Sequence, residues 1–393
     1  MSDITRFLSG QVQALKPSGI RRFFDIVSEM EDAISLGVGE PDFVTPWGVR
    51  DAAIKSIQRG YTQYTSNSGL LELRERIAEY LNRRLGLSYC PKNQILVTIG
   101  ASEAIDITFR AVLNPGDEVL VPEPSYVSYA PCISLCGGVP VPLRCRREEL
   151  FKVTPESIEA AVTPRTKVLL LAYPNNPTGA IMEREFLEKL APVILKHDLL
   201  VVSDEIYSEL TYDGSHSSIA QLPDMQERTV LINGFSKAFA MTGWRVGYLA
   251  APAELFAAIL KIHQYIIMCA CTMSQYAALN ALEQGLSDNF SVVEEMREKY
   301  NMRRRFVVQA LNEMGLDCFE PKGAFYVFPS VRSTGLDGES FAEALLRSQK
   351  VAVVPGNAFG ESGTDFVRMS YASSMRNLDA AMERIARFVG RGQ

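Results

Sequence analysis

Three apolar runs limit what this chain can become: KVLLLAY at 167–173, LLVVSD at 199–204 and TVLIN at 229–233. None alternates apolar with polar residues, as a strand with one wet face does. Unbroken runs of this length fit strands covered on both faces, hence a mostly parallel sheet joined by crossover helices. ILVTIG at 95–100 and EVLVP at 118–122 read as further strands, with NPGD at 114–117 as a turn between helix and strand. LLELRERIAEYLNRRL at 70–85 carries helical periodicity, and a helix is expected to open near Ser102.

The pattern changes after about residue 286. A helical stretch over 287–314 leads into GAFYVFPS, VAVVP and DFVRMSYA, and a helix over 376–389 closes the chain. The expectation is an α/β protein of two parts. A large domain spans 45–286, its mostly parallel sheet flanked by helices. A smaller α+β domain is built from 1–44 and 287–393, with the first forty residues lying on it. The 47% apolar and 22% charged composition over 393 residues excludes disordered, collagen-like and coiled-coil chains. A net charge of -6 argues against a nucleic-acid binder. No apolar run reaches the roughly 18 residues of a membrane span. The opening MSDITRFLSGQVQALKPSG has no apolar core like that of a signal peptide. Seven Cys form no framework, and Cys132 and Cys136 have no nearby His to complete a metal site. A protein of a reducing compartment, the cytoplasm, is expected, with no membrane or nucleic-acid partner and no metal.

Generic motifs exclude more than they assign. There is no P-loop, Gly37-Val38-Gly39 lacks the third glycine of a dinucleotide fingerprint, and Ala238 stands where a nucleophile elbow around Ser236 needs glycine. Lys237 is different. It follows a strand at what should be the carboxyl edge of a parallel sheet, the usual ligand crevice. Its neighbours are apolar, and burial there depresses a lysine pKa, which suits a nucleophile. Arg245, eight residues on, is a cation that can hold a phosphate.

The segment GFSKAFAMTGWRVG resembles the fold-type I aminotransferase pattern around the lysine that binds pyridoxal 5'-phosphate. Four more segments agree in order: GVGEPDFVTP at 37–46, YTQYTSNSGLLELRERIA at 61–78, YPNNPTG at 173–179 and SDEIY at 203–207. The resemblance runs from about residue 20 to the last helix. It is to the class I branch of aspartate, aromatic and N-acetyl-diaminopimelate aminotransferases, and most to the last of these from bacilli.

The resemblance implies roles. Lys237 would hold the cofactor covalently and then act as base and acid in the proton shift. Asp204 would pair with the ring nitrogen and keep it protonated, where a plain reading makes it a cap. Tyr207 and Asn176 would bond the ring's phenolate oxygen; Asn176 is also a good turn residue before Pro177. Gly100, Ala101 and Ser102, at a helix start, would meet the phosphate with Ser236 and Arg245. Tyr126 would stack on the ring, and Tyr129 is expected only to pack. Arg368 and Gly39 would take the substrate α-carboxylate, Arg368 by a two-bond grip. Tyr64 would reach the phosphate of a neighbouring subunit, so a homodimer with shared active sites follows. Arg21, Arg22 and Arg110 are candidates for a second carboxylate, more simply read as surface charges, and Ile20 and Phe23 lie in a segment that closes over substrate.

The activity implied is transfer of an amino group from an L-amino acid, such as an acyl-diaminopimelate, aspartate or aromatic donor, to a 2-oxo acid such as 2-oxoglutarate, in two half-reactions. A β-lyase acting on cystathionine or cysteine conjugates would use the same Lys237 and Asp204. A non-catalytic ligand sensor fits less well, because the stretch before Gly37 is too short for a winged helix and the cofactor set is intact.

Overall fold

The computed structural model describes residues 4–15 and 32–390. Ile20, Arg21, Arg22 and Phe23 lie outside them. Twelve strands are described: β1 (Ile34–Ser35), β2 (Ile95–Thr98), β3 (Glu118–Glu123), β4 (Val139–Arg144), β5 (Thr166–Ala172), β6 (Leu200–Asp204), β7 (Thr229–Gly234), β8 (Gly247–Ala250), β9 (Tyr326–Val327), β10 (Val351–Ala352), β11 (Val354–Pro355) and β12 (Val367–Ser370). Seven of them form one sheet in the order β2-β8-β7-β6-β5-β3-β4. Its neighbours are parallel except for β8, which runs antiparallel to both β7 and β2.

The unbroken apolar runs are explained by two cores, one on each face of the sheet. Along β5, Leu169 and Leu171 enter one cluster, while Val168, Leu170 and Ala172 enter the other. Along β6, Val201 and Val202 divide the same way. Past their first residues these strands are therefore removed from water, and each buried aliphatic side chain contributes about 1.5–3 kcal/mol.

β4 and β8 were not anticipated. VPVPLR carries two prolines and a single buried position, which suits an edge strand and hides its period. β8 is only four residues, GYLA, too short to stand out. The strand expected over 95–100 stops at Thr98, and the helix expected near Ser102 opens at Gly100. Gly100 has φ +71°, so the chain turns sharply there. The long helix expected over 287–314 is observed as Ser291–Glu313. A preceding helix, Thr272–Asp288, ends where Asn289 and Phe290 both take left-handed φ.

A second, three-stranded antiparallel sheet has the order β11-β12-β9. It packs with helices Ser291–Glu313, Gly338–Gln349 and Met375–Gly390 around a core that includes Tyr300, Phe325, Tyr326, Met369 and Leu378. β1 joins this part by pairing in parallel with β10. The short helix Gly10–Ala14 does not lie there as expected: it approaches helix Tyr129–Leu135 beside the large sheet. Among the described residues no helix is long and apolar enough to cross a membrane.

Candidate active site

The carboxyl ends of β3, β5, β6 and β7 open on one rim, as parallel strands must. β2 lies antiparallel to β8, which is itself antiparallel to β7, so β2 also ends at that rim. The loops after these strands, with segments from the second sheet, enclose a cavity of about 680 Å³. Ala101, Ser102, Tyr126, Asn176, Asp204, Tyr207, Ser236, Lys237, Arg245, Gly39 and Arg368 all line it. Gly100 is not among the lining residues; it opens helix Gly100–Val112 next to Ala101, which is. Tyr64 is absent from the lining and is 80% exposed. Arg110 also lies elsewhere, bonded to Asp106 at 2.7 Å one helical turn away.

Asp204 ends β6 and is buried. Tyr129 donates to its Oδ2 at 2.8 Å, and the Ile206 backbone N–H to its Oδ1 at 3.2 Å. Burial nevertheless pushes its carboxyl up to about 6. Tyr129 was expected only to pack; instead it orients Asp204. Its spacing of three from Tyr126, across a turn entering a helix, is the signal that places both rings on one side. The pair meets edge-on at 5.6 Å.

Lys237 stands three residues beyond β7 and is half-buried. Its Nζ donates to the Gly39 carbonyl at 2.7 Å. Burial lowers it to about 8, opposed by the carboxylate of Glu40. Glu40 also accepts a hydrogen bond from Thr242 on the loop between β7 and β8.

Around Gly100 the backbone forms a tight cradle. A Cβ on Gly247 would sit 2.8 Å from the backbone of Gly100 and Ala101, and one on Gly100 would sit 2.7 Å from Arg245 Nη2. Only glycine lets β8, the helix start and the guanidinium approach this closely. Arg245 itself has φ +48° and donates to the Thr242 carbonyl at 3.1 Å.

Arg368, on β12, is buried. Nη1 donates to Asn176 Oδ1 at 2.9 Å and Nη2 to the Gly37 carbonyl, while Nε is buried without a partner. The Tyr326 ring lies 4.6 Å from its guanidinium. Asn176 is fixed by its own turn, in which the Asn175 side chain accepts from Thr178 N–H at 3.2 Å. Tyr326, which the sequence analysis did not single out, also meets Tyr207, oxygen to oxygen, at 2.8 Å.

These residues fit pyridoxal phosphate. A buried carboxylate pushed up by burial gains from a cationic ring nitrogen beside it. The Gly100 turn offers free N–H groups at a positive helix end with a guanidinium beside them. Among the described residues no cluster of His, Cys, Asp and Glu could hold a metal.

A mostly parallel sheet with a lysine at its carboxyl rim, a buried aspartate one strand away and a tight backbone turn beside a guanidinium defines a fold-type I transferase. Residues 31–385 match the family described as aminotransferase class I and II, and the chain belongs to that family. It is 54% identical over 98% of its length to YugH of Bacillus subtilis (strain 168), whose name assigns it as an aminotransferase and of which 99% is covered. It is 44% identical to the protein of the same organism named for N-acetyl-LL-diaminopimelate aminotransferase, covering 97% of this chain and 95% of that one. The structure of aspartate aminotransferase from Thermus thermophilus with maleate superposes at a TM-score of 0.92, with 41% identity over 97% of this chain and 99% of that one. The protein is an aminotransferase, as the lysine segment implied.

Proposed function

We propose that this cavity binds pyridoxal 5'-phosphate through Lys237 and transfers the amino group of an L-amino acid to a 2-oxo acid such as 2-oxoglutarate. One observation carries the reading: a single cavity brings together a lysine amine, a buried carboxylate, a guanidinium beside a helix start and a second, buried guanidinium, on Lys237, Asp204, Arg245 and Arg368. When bound, the cofactor supplies an electron sink for the bond broken at the substrate α-carbon.

The chain's own residues do the rest. Asp204, held by Tyr129, keeps a proton on the ring nitrogen. Tyr207 and Asn176 hold the ring oxygen, and Tyr126 covers the ring face. Ser102, Ser236, Arg245 and the N–H groups after Gly100 hold the phosphate. Arg368 orients the substrate carboxylate, for which its unpartnered Nε is a spare donor. Lys237 would take up the proton released at the substrate α-carbon and return it. Maleate in the Thermus structure, a dicarboxylate, supports acidic partners among the substrates.

Two coarser readings go with this. The exposed Tyr64 supports a homodimer in which each chain completes the other's phosphate site. The pairing of Ile34–Ser35 with Val351–Ala352 supports a small domain in which the end of segment 1–44 joins 287–393 beside a large domain of 45–286, while Gly10–Ala14 lies against helix Tyr129–Leu135 of the large one. Purified protein should absorb in the visible range, and borohydride should fix the cofactor to the peptide carrying Lys237. Labelling of any other lysine would sink the assignment. A panel of amino donors with 2-oxoglutarate, read by product detection, identifies the donor.

A further inference from the structure

We infer that Tyr326 is a positioning residue that ties the cofactor's ring oxygen to the carboxylate-binding arginine. The inference rests on the cofactor reading above. Tyr326 lies on β9, paired with β12 at Ser370, two residues from Arg368. It is 1% exposed and lines the cavity. Its two ends touch different parts of the site. The ring lies against the Arg368 guanidinium at 4.6 Å, and the hydroxyl meets that of Tyr207 at 2.8 Å. The same oxygen leaves no room for a side chain at Gly39, where a Cβ would approach it to 2.6 Å. Gly39 in turn accepts from Lys237.

A proton count sets the direction of the hydroxyl pair. Each phenol has one proton. If Tyr207 gives its proton to the ring oxygen, the contact with Tyr326 survives only with Tyr326 as donor. A hydroxyl that accepts one hydrogen bond donates a stronger one. Tyr326 therefore strengthens Tyr207's hold on the ring oxygen without touching it. Its ring separately holds the guanidinium in the plane that a carboxylate must meet.

The two effects are separable by substitution. Tyr326→Phe keeps the ring and deletes the hydroxyl, so KM for amino donors should stay near that of the parent. The bound cofactor's absorbance should titrate at a higher pH. Tyr207's hydrogen bond stabilises the alkaline form, and weakening it favours the protonated one. In a Tyr207→Phe background, Tyr326→Phe should move that midpoint no further. Tyr326→Leu should also raise KM for every amino donor about tenfold, the scale of one desolvated cation–π contact. An unmoved midpoint in Tyr326→Phe, with cofactor bound, overturns the inference. So does a shift of equal size in the Tyr207→Phe background. A parent protein with no cofactor absorbance at Lys237 overturns the site reading itself, and this inference with it.

Discussion

Asp204 is held where water does not reach it, and its carboxyl titrates near 6 in the fold instead of near 4. The folded state therefore binds this proton more tightly than the unfolded state does. The corresponding stability is present at low pH and lost as pH rises from about 4 through 6. Asp204→Asn removes that penalty and keeps an acceptor for the Ile206 N–H. Cofactor-free Asp204→Asn should be more stable than the parent at pH 7, by on the order of 2–3 kcal/mol, with the gain vanishing near pH 4. Its turnover should nearly disappear, because the ring nitrogen loses its anion. Denaturant unfolding at the two pH values, beside a transamination assay, checks both halves. For Lys237 the sign is opposite: the neutral amine grows as pH rises through about 8. Covalent capture of pyridoxal phosphate by the cofactor-free protein should speed up from pH 6 to 9 with its midpoint there. Arg368→Lys should raise KM for all donors by a similar factor, since a lysine cannot reproduce the planar grip. A loss confined to acidic donors would move Arg368 to a distal carboxylate.

At the scale of elements, the contact between β8 and the start of helix Gly100–Val112 shapes the phosphate cradle. Gly247→Ala forces a methyl against backbone 2.8 Å away, and backbone cannot swing aside as a side chain can. Overpacking of this kind costs about 1–3 kcal/mol. Here the strain falls on the phosphate turn, so equilibrium dialysis should show weaker cofactor binding than any loss of thermal stability alone explains. β8 also marks where the sequence stops being legible. β5, β6 and β7 were readable because both their faces are buried, which makes each an unbroken apolar run. β8 is short, and β4 is a proline-bearing edge, so neither carries a period. The site divides the same way. Lys237 stood out by its place after a strand and its apolar neighbours, whereas Asp204, Asn176 and Arg368 were named through the family resemblance of their motifs, since alone they read as a cap, a turn residue and a surface charge. Tyr129 and Tyr326 escaped because what matters in each is a partner far along the chain, Asp204 for one and Tyr207 with Arg368 for the other. Nothing local distinguishes such a tyrosine from one that merely packs.

At the scale of the molecule, Tyr64 is the residue that asks for a second chain. It is 80% exposed and outside its own chain's cavity, yet it belongs to a segment whose family role is at the phosphate. Closed two-fold dimers are the commonest assembly of soluble chains. Consider Tyr64→Asp, which sets a carboxylate against the phosphate, mixed with Lys237→Ala. Each pure variant should be nearly dead. In a hybrid dimer one site receives intact Lys237 and intact Tyr64, and the other receives both defects. Activity should return toward one working site per hybrid, with hybrids verified by differential tags. Confirmed hybrids without activity would place Tyr64 in its own chain's site.

The reversed strand has a consequence for how such a site is held together. Because β8 runs back along β7, the loop between them leaves and re-enters the sheet at one rim. Lys237 lies near one end of that loop and Arg245 near the other. Both side chains thus hang on one loop pinned at its two ends by the pairing of Gly234 with Gly247, so a shift in that register would move the anchorage of both.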